Sequence, residues 1–117
     1  MPSVLIVDDH PAFRASARRL LERGGFDVVG EADDAASGLE LVHELDPDLV
    51  LLDIVLPDSS GFDVAEELRA GRSQVVLVSS RQGADLGPRL RDAPALGFIP
   101  KDELTSEAVR ALLDRAA

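Results

Sequence analysis

Five side chains scattered along the sequence could do chemistry together: Asp8, Asp9, Asp53, Ser79 and Lys101. Carboxylates brought within a few ångströms repel one another strongly unless a cation stands between them. Carboxylate ligation without thiolates suits a hard divalent cation. Mg2+ in particular binds through one or two carboxylates together with waters and phosphate oxygens. A carboxylate is also a nucleophile toward phosphorus, giving an acyl phosphate. Such a transfer needs the charge on the equatorial oxygens neutralised, by metal on one side and by a lysine or hydroxyl on others. On this reading Asp8 and Asp9 hold the metal, Asp53 attacks, and Ser79 and Lys101 receive the phosphoryl oxygens. Taken singly, each residue has a plainer job. Asp8 and Asp9 could cap a helix, Asp53 a loop, Ser79 could close a turn, and Lys101 could be a solvated amine.

The elements that carry these residues decide between the two readings. Leu49-Val50-Leu51-Leu52 is an uninterrupted apolar run between Pro47 and Pro57 that stops at Asp53, the pattern of a strand buried on both faces of a parallel sheet. Ser3 to Val7 repeats the pattern and ends at Asp8-Asp9, and Gln74 to Val78 ends at Ser79-Ser80. Leu96 to Ile99 is a brief strand closed by Pro100-Lys101, and Phe26 to Glu31 alternates partly, as suits a place near an edge. Between the strands, Phe13, Ala17, Leu20 and Leu21 recur at helical spacing after Pro11, with Arg14, Arg18 and Arg19 on other faces. A second helix is capped by Asp33 or Asp34, runs through Ala35, Leu39, Val42 and Leu45, and is closed by Asp46-Pro47. A third uses Val64, Ala65 and Leu68 and stops at Gly71. The last, capped by Thr105, turns Val109, Leu112 and Leu113 inward. From Arg81 to Pro94 the glycines and prolines predict a short or irregular fourth helix, carried by Leu86 and Leu90.

Strand and helix thus alternate five times, which implies a parallel sheet with right-handed crossovers and helices on both faces. Every carboxyl end of such a sheet points to one edge, the edge at which open α/β sheets bind ligands. The five side chains therefore meet in one crevice, and jointly the plainer readings give way.

At 117 residues the chain is long enough for one domain with one core. Its net charge of −10 argues against nonspecific nucleic-acid binding and suits a domain that holds cations or meets basic partners. It has no cysteine, which excludes disulfides, thiolate metal sites and thiol nucleophiles. No apolar run approaches the roughly 20 residues that span a bilayer. Met1-Pro2-Ser3 leads straight into a strand rather than a signal peptide, so the expected location is the cytoplasm.

Four blocks then resemble the signatures of response-regulator receiver domains. They are Val4-Leu5-Ile6-Val7-Asp8-Asp9-His10-Pro11, Leu51-Leu52-Asp53-Ile54-Val55-Leu56-Pro57 with Gly61, Val78-Ser79-Ser80, and Gly97-Phe98-Ile99-Pro100-Lys101. The likeness spans essentially the whole chain, residues 1–117, with any output domain outside it. It implies a flavodoxin-like fold with strand order 2-1-3-4-5. It also implies Asp53 as phosphoacceptor, Asp8 and Asp9 as the acidic pair, and the carbonyl of Val55 as the backbone ligand to Mg2+. Ser79 matches the switch hydroxyl, Phe98 the rotating aromatic, and Lys101 the phosphate-binding lysine. The Asp8-Asp9-His10-Pro11 start and the close from Phe98 to Leu104 look most like receivers attached to helix-turn-helix DNA-binding domains of the nitrate-response and quorum-sensing type. The implied partners are a histidine kinase, a second copy on activation, and DNA only through an output domain.

Serine at position 79 departs from the commoner threonine but keeps the hydroxyl. The Gly- and Pro-rich stretch departs from the family's well-formed fourth helix. Two other classes compete. A phosphohydrolase with an aspartyl intermediate wants a second carboxylate close after the nucleophile, where this chain has Val55. A scaffold that binds without phosphorylation has no need of all the reactive groups. The expectation is a switch rather than an enzyme, controlling transcription or, alternatively, acting alone as a protein–protein switch or phosphorelay intermediate.

Overall fold

Strand β3 (Leu49–Asp53) is buried along its whole length and forms the middle of the sheet. In the computed structural model, which describes residues 1–80 and 86–116, it lies between β1 (Ser3–Val7) and β4 (Gln74–Ser79). β2 (Asp27–Ala32) and β5 (Gly97–Pro100) take the outer places, so the parallel order is 2-1-3-4-5, the flavodoxin-like arrangement. The register places Val7 beside Leu52 and Asp53 beside Val78, and Ser79 beside Pro100. The strand ends that carry Asp8, Asp53, Ser79 and Lys101 therefore emerge at one edge.

Alternation along the strands builds two cores. Val4, Ile6, Leu49, Leu51, Val76 and Val78 face α1 (Pro11–Arg23) and α5 (Ser106–Ala116), through Ala17, Leu21, Val109 and Leu112. Leu5, Val7, Val50, Leu52, Val75 and Leu77 face α2 (Ala35–Leu45) and α3 (Gly61–Leu68), through Ala35, Phe62, Val64, Ala65 and Leu68. Each fully buried Leu or Val contributes roughly 1.5–3 kcal/mol. A one-residue slip of β1 or β3 would exchange its two faces, so the aspartates at the strand ends inherit fixed positions. The three-layer sandwich is complete with α4 (Pro88–Asp92), whose Leu90 packs partly on the second core.

Where the sequence reading and the structure differ, the causes are local. Phe26 does not begin β2 but turns into the first core at 1% exposure, with the Arg110 guanidinium 4.7 Å from its ring centre. Leu45 is exposed rather than inward, because α2 ends there as Asp46 takes a left-handed conformation at φ 46°. Helix α3 stops at Leu68, and Gly71 belongs to the turn after it, donating to the Leu68 carbonyl. Pro88 is not interior to a helix. It opens α4, where a missing amide hydrogen costs little. Gly87 before it has φ 74° and ψ −164°, a conformation essentially closed to other residues. Of the stretch read as an irregular fourth helix, residues 81–85 lie outside the described residues.

Candidate functional site

Asp8 follows β1 directly and is fully buried. One of its oxygens, Oδ1, accepts from the His10 amide at 2.8 Å and has the His10 ring nitrogen Nδ1 at 3.0 Å. The other, Oδ2, faces the Lys101 ammonium at 2.7 Å. Asp53 ends β3 at 2% exposure; its Oδ1 accepts from the Val55 amide at 3.2 Å, and its Oδ2 lies 3.3 Å from Lys101 Nζ. Lys101 is held over the Phe13 ring, 4.5 Å from its centre, so the aromatic steadies the amine that the carboxylates attract. Ser79 closes β4 in the same edge at 1% exposure.

Burial pushes the Asp53 carboxyl above its ordinary pKa, and the neighbouring Asp8 charge adds to the shift; the Val55 amide and Lys101 act against both. A buried carboxylate with raised proton affinity also gains most from a cation.

Asp8, Asp9, His10 and Asp53 each offer one donor atom within a common span of 4.8 Å. Two of the oxygens, Asp8 Oδ2 and Asp9 Oδ1, accept no well-directed hydrogen bond, although Lys101 Nζ and His10 Nδ1 stand 2.7 and 3.2 Å away. Buried lone pairs without a directed donor are costly, and a donor set of carboxylates without thiolates fits a hard divalent cation. The residues present therefore fit the metal that the sequence implied.

The loop after Asp53 is fixed from two sides. The Gly61 amide donates to the Ile54 carbonyl at 2.7 Å, and a Cβ built on Gly61 would come within 2.7 Å of Ile54 Cα, so only glycine allows α3 to start against this backbone. The Asp58 carboxylate accepts from the amides of Ala35 and Ala36 at 2.8 and 3.0 Å, tying the loop to the start of α2. Those two amides hold the Asp58 carboxyl below the usual carboxylate range. Val55, exposed at 55%, pairs with Ser60 across this loop.

The family model of the response regulator receiver domain matches residues 4–113. The chain belongs to the receiver-domain family. A transcriptional regulator of Pseudomonas aeruginosa is 45% identical over 113 residues, covering 95% of this chain and 55% of the relative. The virulence-factor transcription regulator BvgA of Bordetella pertussis is 40% identical over 110 residues, 92% of this chain and 53% of its own length. Among solved structures, the signal receiver domain of NarL from Mycobacterium tuberculosis superposes with a TM-score of 0.86 at 38% identity, covering 98% of this chain and 95% of that one. The receiver thus spans about half the length of the curated relatives it matches.

The structure brings Asp8, Asp9, Asp53 and Lys101 into one cluster and places Ser79 at the adjoining strand end. Phe98 stands apart from it, partly buried against the second core, and lines a cavity of about 220 Å³ with Leu77, Leu90 and Leu96. Three residues had no role in the sequence reading. His10 was visible as the neighbour of the acidic pair, but a lone His after two acids does not show that its ring turns back onto them. Arg14 is tied to Glu31 and Asp58 to Ala35, 17 and 23 residues away, contacts that no local pattern reveals.

Proposed function

We propose that this receiver accepts a phosphoryl group on Asp53, delivered by a histidine kinase, and that the acyl phosphate selects between two surfaces of the domain. The observation that carries this is the convergence on Asp53, at the end of the most buried strand, of Asp8, Asp9 and Lys101. A carboxylate oxygen of Asp53 forms the new bond to phosphorus while the bond from phosphorus to the donor nitrogen breaks. Its electron pair stays with the departing imidazole. Lys101, already 3.3 Å from Asp53 Oδ2, and the Ser79 hydroxyl meet the phosphoryl oxygens. Asp8, Asp9, Asp53 and the Val55 carbonyl would hold Mg2+, which supplies positive charge against the incoming phosphoryl group.

The modified group is the chain's own side chain, so the domain is a switch rather than an enzyme acting on a separate substrate. Phosphorylation adds about two negative charges and three acceptor oxygens. Ser79 and Phe98 are the residues through which this reading passes the change to the face of β4, α4 and β5. Half-length coverage of transcription regulators supports an output through a DNA-binding domain outside these 117 residues. Pairing of two receivers on activation belongs to the same proposal. Action alone, as a protein–protein switch or phosphorelay intermediate, is the second reading. Among the described residues no helix is long and apolar enough to cross a membrane. On the proposed reading the domain meets its kinase in the cytoplasm.

Intact-mass analysis after acetyl phosphate and Mg2+ tests the assignment. One phosphoryl group should add to the wild type and none to Asp53→Asn. Equal modification of both would overturn it.

A further inference from the structure

The peptide group that joins Asp8 to Asp9 sets where both carboxylates point. Its oxygen belongs to Asp8 and its nitrogen to Asp9, so a rotation of this one plane changes ψ of Asp8 and φ of Asp9 together. Asp8 is held from elsewhere as well, its amide donating to the Ala32 carbonyl at 2.9 Å and its carboxylate meeting His10 and Lys101. Asp9 has far less support. Its side chain is 36% exposed, and its Oδ1 lies 3.2 Å from the His10 ring nitrogen Nδ1.

That peptide oxygen accepts a hydrogen bond of 2.6 Å from Arg14 Nη1. The guanidinium is itself fixed, since Nε donates to Glu31 Oε1 at 3.1 Å. Glu31 cannot swing away freely, because its second oxygen accepts from Arg18 Nε at 2.7 Å. Arg14 is largely covered, with 19% of its side chain exposed, and Glu31 is 28% exposed. A charge-assisted bond this short, made by a planar group fixed on both arms, restrains the peptide plane more firmly than a neutral bond to water. Glu31 stands on β2 opposite Ile6 of β1, so the bracket is anchored in the sheet itself.

We infer that Arg14, braced by Glu31, is a positioning residue for the acidic pair: it fixes the Asp8–Asp9 peptide so that Asp9 faces the cation site. The inference rests on the reading of that site as a divalent-cation site. Partners of this kind, one step removed from the ligands, alter metal affinity about 10- to 100-fold when removed.

The charge of Arg14 makes the inference sharply testable. A guanidinium beside a cation site repels the cation, so a residue acting only through its charge should, when neutralised, leave metal binding tighter. Positioning predicts the opposite sign. Calorimetric titration of the metal-free protein with Mg2+ should show Arg14→Gln binding about 10-fold more weakly than wild type. Arg14→Lys, which keeps the charge but replaces the planar fork with a single nitrogen on a flexible stem, should also bind more weakly. Glu31→Gln should show a smaller loss. Binding by Arg14→Gln that equals or exceeds wild type overturns the inference, as does full restoration by Lys.

A second measurement needs no metal. In EDTA, the backbone amide resonances of Asp9 and His10 should shift or broaden in Arg14→Gln while those of Val75 to Val78 stay in place. Unchanged Asp9 and His10 amides overturn the inference. A wild-type protein indifferent to Mg2+ overturns the reading of the site instead, and the amide measurement then decides the role of Arg14 alone.

Discussion

Lys101 Nζ stands 2.7 Å from Asp8 Oδ2, a contact that joins the end of β5 to the end of β1 across the two strands that lie between them. The same ammonium is 3.3 Å from Asp53 Oδ2, so one cation offsets two buried carboxylates. Lys101→Ala leaves both without their shared partner. Removing one side of a buried pair typically costs about 3–5 kcal/mol. The expected loss here is about 3 kcal/mol, since 13% of the lysine side chain is exposed to water. Denaturant unfolding in EDTA measures it. Millimolar Mg2+ should recover part of the loss and should also raise the melting temperature of the wild type. A melting temperature unmoved by Mg2+ in both proteins would count against a cation site.

Ionised Asp53 should cost stability in the unphosphorylated, metal-free protein. Its carboxyl titrates above the ordinary value, because burial and the Asp8 charge penalise ionisation. A group whose folded-state pKa is raised favours folding fully only below its unfolded pKa, and that contribution is lost as pH rises through the folded value. Asp53→Asn should therefore melt higher than wild type at neutral pH in EDTA, with the difference closing as the pH falls through the raised folded value and gone once it is below the ordinary aspartate value. Thermal unfolding at several pH values checks this. A difference that widens on acidification would contradict the assigned cause.

How much of this was legible in the sequence depends on the distance over which each residue acts. The apolar runs before Asp8, Asp53 and Ser79 specify strands by themselves. The alternation of strand and helix then puts their ends on one edge, so the meeting of these side chains could be read from local pattern plus one topological rule. The order 2-1-3-4-5 came through family likeness. What stayed hidden was the support. Arg14 carries no mark that distinguishes it from Arg18 or Arg19 on the same helix, because its role depends on the peptide oxygen it reaches. Pro88 looked like a helix breaker because its place relative to the helix start was unknown, and the same residue is favourable at the first position.

Asp58 supports the loop after Asp53 from the outside. Its carboxylate accepts from the Ala35 and Ala36 amides at the start of α2, adding to the cap that Asp34 provides through the Ser37 amide at 2.8 Å. These bonds lower the Asp58 pKa, so its contribution is present above the unfolded value and is lost as pH falls through the folded one. Asp58→Ala should melt lower than wild type at neutral pH, and the two should converge in acid. It should also slow phosphorylation by acetyl phosphate, because the loop that carries Val55 loses its tie to α2. Parallel melting curves across the whole pH range would show that the carboxylate is not the stabilising group.

Gly61 is the position where the smallest change should reach the site. Its amide donates to the Ile54 carbonyl at 2.7 Å, and its Cα lies so close to the β3 end that a methyl group would meet the Asp53 carbonyl and Ile54 Cα. Both obstacles are backbone, which cannot rotate aside as a side chain would. Gly61→Ala must therefore push α3 away from β3 or displace the peptide between Asp53 and Ile54. Overpacking of this kind costs typically 1–3 kcal/mol, and contact with rigid backbone puts the expected loss near the top, about 3 kcal/mol. The displaced peptide follows Asp53 directly, so the geometry of the proposed acceptor should suffer with it. The expected outcome is slower phosphorylation of Gly61→Ala by acetyl phosphate, at temperatures where circular dichroism shows the protein fully folded. Wild-type stability together with a wild-type rate would mean that the close approach at Gly61 does not constrain the site.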